Sequence, residues 1–232
     1  MPDKVTIYHG SKNVIEQPVF GEGNPRNDYG LGFYCTQEPD LAKEWACTEE
    51  KSGYANQYTL SLSGLSVMRL SGADYNILNW LAVLLANRTF RISNDIAAEG
   101  KAYLLEKFLP DIQSYDLIIG YRANDSYFSF ANAFLNNTLS LAQLERAMVL
   151  GKPGEQTVLK SQRSFGQIRF MGSEIADREI YYPKKHARDK EARSSYRKER
   201  ESSRATDSIY LIDILRGGWK NDDARIRRNI SG

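Results

Sequence analysis

The sequence is poor in the residues that build metal centres and disulfide frameworks. Its 232 residues include two cysteines, Cys35 and Cys47, and two histidines, His9 and His186. The cysteines form no zinc-ligand pattern and imply no disulfide framework. With only two histidines, the chain is a poor candidate for a zinc enzyme or a Ser-His-Asp hydrolase. We therefore expect a protein without a metal, whose chemistry depends on other residues.

Long apolar runs are also missing. The most apolar stretch, residues 77–86, is interrupted by Asn79 and is too short to span a bilayer. The N-terminus shows no basic flank followed by a long apolar run, so no signal peptide is expected. Hydrophobic residues make up 41% of the chain, which is ordinary for a globular protein with its own core. These features predict a cytoplasmic protein with no membrane partner.

The formal net charge of +2 hides an uneven distribution. Residues 1–182 contain 17 Lys and Arg against 21 Asp and Glu, a net charge of −4. Residues 183–232 contain 14 against 8, a net charge of +6, and residues 183–205 contain almost no large apolar residue. The segment after Pro183 is either a solvated helix or linker, with spaced pairs such as Asp189–Arg193, or a basic surface for RNA or an acidic partner protein.

The order of the predicted elements gives the fold class. Alternating apolar residues predict strands at 4–9, 57–70, 116–120, 156–160 and 167–170. Helical spacing predicts helices at 40–45, 73–86, 95–109 and 140–151, and a last amphipathic segment at 208–216. Asp40 is the expected N-cap of the first helix, and Ser140 with Gln143 forms a capping box. Strands at both ends with helices between them predict an α+β fold, with a split β-sheet core and a helical insertion in residues 1–182 and a charged helical extension in residues 183–232.

Two glycines, Gly30 and Gly32, stand before a strand-like segment in the stretch DYGLGFYCT, residues 28–36. Glycine permits backbone angles that other residues resist. The stretch is therefore either a hairpin corner with Tyr34 in the core, or a backbone that approaches a flat ligand closely. The first strand ends in YHGS, where the glycine after His9 frees main-chain groups to meet a ligand. A histidine at a strand end is otherwise a structural residue.

Two later segments carry an aromatic ring and a carboxylate. Trp45 lies in the first predicted helix, where aromatic residues more often pack in a core than contact a ligand. Glu155 and Gln156 stand at the start of a late strand, where an acid is usually only solvated. No single segment is decisive, and the order of the segments carries the argument.

This order resembles the His-Tyr-Glu class of NAD-dependent ADP-ribosyltransferases. A strand ending in His-Gly is followed by Gly-x-Gly-aromatic-Tyr, by a short helix with an aromatic residue, and by a late strand that opens with Glu. The chain is similar to a bacterial family of uncharacterised domains placed in that superfamily, which also includes the catalytic domains of poly-ADP-ribose polymerases. The segments that carry the similarity are YHGS, DYGLGFYCT, LAKEWAC, DLIIGYRAND, EQTVLKS and DSIYLIDILRGG. The resemblance implies an ADP-ribosyltransferase-like split sheet, with NAD as co-substrate and no metal.

The resemblance also implies roles for individual residues. His9 would bind ribose hydroxyls of NAD, and Gly10 would offer its main-chain N–H and C=O to the nicotinamide carboxamide. Tyr34 would stack on the nicotinamide ring, and Trp45 would close the opposite face. Glu155 would bind the ribose 2′-hydroxyl and stabilise the positive charge that develops as nicotinamide leaves. The expected NAD-binding residues are His9, Gly10, Ser11, Gly32, Tyr34 and Trp45, and the expected catalytic residues are Glu155, Gln156, Tyr34 and His9.

Two points stay open at the level of sequence. Side chains alternate faces along a strand, so only one of Glu155 and Gln156 points into the cleft, and if it is Gln156 another acid is needed. Asp125 is the reserve candidate, unless it is a helix N-cap. No Glu-x-Glu pair precedes the strand, so the arginine-specific transferases are a poorer match.

Three functions are compatible with this interpretation: a mono-ADP-ribosyltransferase that modifies a macromolecule, an NAD glycohydrolase, and a binding module without the chemistry. The first is favoured, as a bacterial toxin of toxin–antitoxin or phage-defence type that an antitoxin protein neutralises. RNA or DNA is favoured over protein as the acceptor, because of the basic extension and because Tyr127 and Phe128 are expected to be exposed and to stack on bases. The expected phosphate contacts are Lys184, Lys185, Arg188, Arg193, Arg197 and Arg200.

Overall fold

The structure is a computed structural model that describes residues 3–123, 125–149, 154–202 and 208–226. Its strands are β1 (Lys4–Ser11), β2 (Phe33–Cys35), β3 (Gly53–Ser61), β4 (Val67–Arg69), β5 (Leu117–Tyr121), β6 (Glu155–Leu159) and β7 (Ile168–Ala176). Its helices are α1 (Pro39–Ala46), α2 (Ile77–Asn87), α3 (Asp95–Lys107), α4 (Asp125–Leu135), α5 (Leu141–Val149), α6 (Gln162–Phe165), α7 (Arg178–Ser202) and α8 (Leu211–Gly217).

Two sheets form the β part of the fold. One has the strand order β1-β3-β7 and is antiparallel throughout. The other has the order β2-β6-β5-β4, in which β4 and β5 are parallel and the other neighbours are antiparallel. Helices α2 and α3 follow β4, and helices α4 and α5 follow β5, so the chain leaves the second sheet twice to form helices. The predicted α+β class is confirmed.

The two sheets share an apolar core. Its buried members come from β1, β2, β3, β5 and β6, and they are Ile7, Phe33, Cys35, Tyr58, Leu60, Leu117 and Leu159. Side chains alternate faces along a strand, so Phe33 and Cys35 lie in this core while Tyr34 between them leaves β2 on the other face. The core therefore fixes which residue of β2 is available to a ligand.

Contacts between residues divide the chain into two units. The first contains the chain up to Arg69, Ile112–Arg122 and Gly154–Arg188, which hold both sheets, α1 and the start of α7. The second contains the described residues among Leu70–Asp111, 123–153 and 189–232, whose elements are helical. The units are defined by contacts and not by independent folding, so they do not test the boundary predicted between residues 182 and 183.

Helix α2 of the second unit is buried along almost its whole length. Asn76 caps the helix with its side chain, and the Asn79 side chain accepts the main-chain N–H of Asn76 in return. The capping box predicted for α5 is confirmed, because Ser140 N–H donates to Gln143 Oε1 (2.9 Å) and Gln143 N–H donates to Ser140 Oγ (3.3 Å). The predicted end of α5 near Gly151 lies outside the described residues.

The N-cap predicted for α1 is wrong. Helix α1 begins at Pro39, and its N-cap is Glu38, which makes no side-chain cap hydrogen bond. Proline suits the first helical position because its φ is already helical and it has no N–H to satisfy there. Asp40 therefore lies inside the first turn of the helix.

The stacking surface predicted from Tyr127 and Phe128 is also wrong. Tyr127 is only 1% accessible and packs edge-on against Phe130. Phe128 is partly buried, and the guanidinium of Arg88 lies 4.7 Å from its ring centroid. The Tyr127 ring is therefore buried against another ring, and the Phe128 ring is partly covered, so the pair is not an exposed surface for bases.

The basic segment after Pro183 is helical as far as residue 202, because it belongs to α7. Within α7, Arg193 Nε lies 2.8 Å from Asp189 Oδ2, which confirms the predicted pair one helical turn apart. Lys184 Nζ lies 3.0 Å from Oδ2 of Asp40 on α1. Two of the expected phosphate contacts are thus already in ion pairs within the chain.

The strongest ion pair of α7 joins Arg188 to the buried Glu44 of α1. Arg188 Nε donates to Glu44 Oε2 at 3.0 Å and Nη2 donates to Oε1 at 2.9 Å, so the pair is bidentate. The Glu44 side chain is 2% accessible, whereas that of Arg188 is 28% accessible. A carboxylate buried to this extent needs its cation, and Arg188 therefore fastens α7 to α1.

Replacing Arg188 with Ala should destabilise the protein strongly, because it leaves the Glu44 carboxylate buried without its partner. We expect a loss of about 3–5 kcal/mol in the free energy of unfolding. Arg193→Ala is the matched control, since it removes an exposed pair and should cost about 0.3–0.5 kcal/mol. Urea unfolding of both variants measures the difference, and similar losses in the two would contradict the buried-pair interpretation.

Candidate functional site

The two sheets meet at one short pairing between β1 and the end of β2. Tyr8 N–H donates to Thr36 C=O (2.7 Å), and Thr36 N–H donates to Tyr8 C=O (2.9 Å). Continuing this antiparallel register would bring Gly10 opposite Tyr34. Instead, the ring Nδ1 of His9 donates to the Tyr34 carbonyl at 2.7 Å. The strands therefore part directly after the Tyr8–Thr36 pair.

The parting of the strands leaves the main chain of Gly10 at an opening. Main-chain groups of alternate residues in a strand point to the same side, so the N–H and C=O of Gly10 point the same way as those of Tyr8. Tyr8 finds Thr36 on that side, whereas for Gly10 the described residues provide no hydrogen-bond partner there. Gly10 thus offers a donor and an acceptor side by side, which suits a carboxamide.

Steric packing explains why residue 10 is a glycine. A Cβ on Gly10 would lie 1.9 Å from the main-chain oxygen of Ala42 and 3.0 Å from the nitrogen of Ala46. Helix α1 can therefore lie directly against β1 only because this position has no side chain.

His9 is held in one tautomer. A carbonyl only accepts, so the hydrogen bond to Tyr34 requires the proton on Nδ1 of His9 and leaves Nε2 as an acceptor. The His9 ring stacks on Phe33 with centroids 4.3 Å apart. Burial lowers the pKa of His9 below its ordinary value, and the hydrogen bond to the Tyr34 carbonyl only partly opposes this. His9 is therefore a neutral side chain whose Nε2 can accept a hydrogen bond.

The DYGLG loop is held by the residue that follows it. Tyr34 Oη accepts the main-chain N–H of Tyr29 (3.0 Å) and donates to the carbonyl of Gly30 (2.5 Å). Gly30 has φ = 74°, in the left-handed region that favours glycine. Lys160 Nζ donates to the carbonyls of Tyr29 (2.7 Å) and Leu31 (2.6 Å). The loop is thus tied at both ends, which orients the Tyr34 ring.

Gly32 and Ser11 have structural roles. A Cβ on Gly32 would lie 2.8 Å from the carbonyl oxygen of Leu159, so this glycine lets the loop run close to β6. Ser11 Oγ donates to the carbonyl of Asn13 (2.6 Å) and accepts from Nδ2 of Asn56 (2.9 Å). Gly32 thus allows close packing of the loop, and the Ser11 hydroxyl is hydrogen-bonded within the chain.

Trp45, on α1, carries an unsatisfied donor. Its indole Nε1 is buried and has no hydrogen-bond partner within the described part of the chain. The guanidinium of Arg122 lies 4.7 Å from the centroid of the Trp45 ring. A ligand stacked on Trp45 must therefore use the other ring face or displace Arg122.

Glu155 and Gln156 occupy opposite faces of β6. Val158 of β6 pairs with Tyr34, so Gln156, two residues before it, shares the face of Tyr34. Gln156 is 4% accessible, and its Nε2 donates to the carboxylate of Asp28 at 2.9 Å. Glu155 is on the other face, with a side chain that is 42% accessible and lies 3.2 Å from Arg69 Nη1. The Gln156 amide therefore holds the DYGLG loop through Asp28. Glu155 is the member of the pair whose side chain is accessible to a ligand.

The structure brings together three of the residues named from the sequence, because His9, Gly10 and Tyr34 lie where β1 and β2 part. The Glu155 side chain leaves β6 on the face opposite that of the Tyr34 side chain and contacts Arg69, and Trp45 lies on α1 next to Arg122. The Asp125 side chain lies outside the described residues. Sequence reasoning missed four residues that shape the site, because their partners are distant along the chain: Asp28, Arg69, Arg122 and Lys160.

Residues 5–170 match the family model described as "Protein of unknown function (DUF3990)", and the chain belongs to this family. The match contains every residue of the candidate site and ends within β7, before α7. No curated protein and no solved structure matches the chain. In the part of the chain that the structure describes, no helix is long and apolar enough to cross a membrane, and no group of three His, Cys, Asp or Glu is placed to hold a metal ion.

The lowered pKa of His9 predicts a dependence of stability on pH. In the unfolded chain His9 titrates near its ordinary pKa of 6.5, and in the folded protein it titrates lower. As the pH falls below 6.5, the unfolded state binds the proton first, so stability is lost until the pH reaches the folded pKa. His9→Gln should flatten the free energy of unfolding between about pH 7 and pH 5.

Urea unfolding across this pH range tests the prediction. His186→Gln, at an exposed position on α7, is the matched control for loss of a histidine outside the site. Parallel curves for the wild type and His9→Gln would contradict a buried neutral His9.

Proposed function

We propose that this member of the DUF3990 family is a mono-ADP-ribosyltransferase that uses NAD as co-substrate and transfers ADP-ribose to a macromolecule. The observation that carries the proposal is the parting of β1 and β2, which leaves the main chain of Gly10 and Nε2 of His9 next to Tyr34. The strand orders β1-β3-β7 and β2-β6-β5-β4 support the finer fold, an ADP-ribosyltransferase-like split sheet. The segments that carry the resemblance supply the residues of this site.

The donor and acceptor groups of the opening fit the nicotinamide end of NAD. The carboxamide has both a donor and an acceptor, which complement the C=O and N–H of Gly10. Nε2 of the neutral His9 accepts a hydrogen bond from a ribose hydroxyl. Tyr34 provides a ring for stacking on nicotinamide, and Trp45 provides a second ring and a buried Nε1–H that lacks a partner. No metal takes part in this proposal.

In the reaction, the bond between nicotinamide nitrogen and ribose C1′ breaks, and its electron pair leaves with nicotinamide. An acceptor atom gives an electron pair to C1′ and loses its proton, which completes the transfer. Positive charge develops on the ribose before the new bond forms, and a fixed carboxylate stabilises it. We assign this role to Glu155, whose side chain is accessible, whereas Gln156 is neutral, buried and bound to Asp28 of the loop.

The biological setting follows from the resemblance to a bacterial family. We propose a cytoplasmic toxin of toxin–antitoxin or phage-defence type, neutralised by an antitoxin protein. Nucleic acid remains the favoured acceptor, but α7 offers it fewer free charges than the sequence implied, since Lys184, Arg188 and Arg193 are paired within the chain. Of the other expected phosphate contacts, Arg197 is exposed, Lys185 is partly buried and the Arg200 side chain lies outside the described residues.

Incubating the pure protein with labelled NAD and cell extract tests the proposed function. A transferase releases nicotinamide and labels a macromolecule, a glycohydrolase releases nicotinamide without labelling, and a binding module does neither. His9→Ala and Tyr34→Ala should each abolish NAD turnover, because they remove the acceptor and the stacking ring. Circular dichroism must show that both variants are folded. Wild-type turnover in both would contradict the assignment of the site.

Glu155→Ala and Gln156→Ala should separate catalysis from loop position. Removing the Glu155 charge should lower turnover by about 10²–10³-fold, or about 2.7–4 kcal/mol, as for other groups that stabilise a transition state. Its NAD affinity should change much less, because the interaction strengthens as charge develops. Gln156→Ala should instead lower stability, since the Asp28 carboxylate loses its donor. An active Glu155→Ala beside an inactive, stable Gln156→Ala would reverse the assignment.

A further inference from the structure

Arg69, at the end of β4, contacts Glu155 with only one corner of its guanidinium. Nη1 lies 3.2 Å from Oε2 and 3.5 Å from Oε1 of Glu155, and both side chains are about two-fifths accessible, at 38% and 42%. The Nε and Nη2 of Arg69 have no hydrogen-bond partner among the residues that the structure describes. The edge of the guanidinium that best matches an oxyanion is therefore open to solvent.

Two other arginines of the chain show how this edge is used in a structural ion pair. Arg188 binds Glu44 through Nε and Nη2, at 3.0 and 2.9 Å. Arg225 binds Asp223 through the same two atoms, at 2.9 and 2.6 Å. Arg69 departs from this pattern, because it contacts Glu155 through Nη1. Its two-pronged edge, formed by Nε and Nη2, is left unused.

The position of Arg69 in the sheet decides which substrate can reach it. In the order β2-β6-β5-β4, Tyr34 lies on the first strand, Glu155 on the second and Arg69 on the fourth. Arg69 pairs with Ile119, which pairs with Thr157, so Arg69 and Glu155 share a face of the sheet. Arg69 is thus on the side of Glu155 that is remote from Tyr34, where the nicotinamide is proposed to bind.

We propose that Arg69 is a receptor for a phosphate group of the acceptor, and that the acceptor is a single-stranded nucleic acid. This inference rests on the proposed function of Glu155. A phosphate bound in the open edge of Arg69 places the adjoining nucleotide, with its hydroxyls and base nitrogens, beside the carboxylate that faces the ribose of NAD.

The test compares the binding of two ligands by fluorescence anisotropy, a short single-stranded RNA and ADP-ribose, which carries the diphosphate of the donor. Arg69→Ala should weaken RNA binding by about tenfold or more, which is the loss of affinity expected when a hydrogen bond between charged groups is removed. It should weaken ADP-ribose binding less. Arg69→Lys should restore part of the RNA affinity, because it keeps the charge and loses the two-pronged geometry. Arg169→Ala, at an exposed arginine on β7, is the matched control and should bind RNA as the wild type does.

Glu155→Gln should change the affinity for RNA in the direction opposite to Arg69→Ala. Removing the competing carboxylate should tighten RNA binding, and adding Arg69→Ala to this variant should abolish the gain. The inference is overturned if Arg69→Ala binds RNA as tightly as Arg169→Ala does. It is also overturned if ADP-ribose binding falls more than RNA binding, since Arg69 would then serve the donor. If RNA binding depends on Arg69 but the wild type releases no nicotinamide from NAD, the proposed function fails and the phosphate receptor stands.

Discussion

The candidate site depends on one constraint, the point at which the pairing between β1 and β2 stops. The two hydrogen bonds between Tyr8 and Thr36 bring the sheets together, and one more pair of the same register would have joined Gly10 to Tyr34. Main-chain groups that lose a ladder partner must find another or stay accessible. The His9 ring satisfies the Tyr34 carbonyl, and no described residue pairs with the Gly10 groups on that side. The proposed carboxamide site thus lies at the end of a ladder and needs no unusual residue beyond a glycine.

Much of this region is readable from sequence because its signals are local. The strand that ends in YHGS, the glycines of DYGLG and the helix that carries Trp45 depend on residues close together in the chain. Alternation along β6 also required that Glu155 and Gln156 have different environments. The wrong N-cap prediction for α1 also has a local cause. Asp40 is a typical N-cap residue and Pro39 is a typical first helical residue, and the helix begins at Pro39, whose φ is already helical.

What the sequence could not show are the partners that decide how each residue is used. The sequence requires Glu155 and Gln156 to face opposite ways, but which way each one faces is seen only from Asp28, which accepts from the amide, and from Arg69, which approaches the carboxylate. Both partners are far away in sequence, and both reach β6 only through the strand order. Lys160 shows the same limitation, because a lysine at the end of a strand gives no hint that it binds the carbonyls of a loop before β2.

Charge illustrates the difference between a composition and a surface. Residues 183–232 carry a net charge of +6, but two of their cations form ion pairs with carboxylates of α1. Helix α1 lies in the part of the chain that has a net negative charge. The Arg188 charge is needed to keep Glu44 buried, so it is poorly available to a phosphate. Arg69, in the acidic part of the chain, has Nε and Nη2 without a hydrogen-bond partner among the described residues, and it lies beside the carboxylate of the proposed reaction. Specific recognition of an acceptor can therefore depend less on the total charge of a segment than on one guanidinium whose two-pronged edge has been left open next to the chemistry.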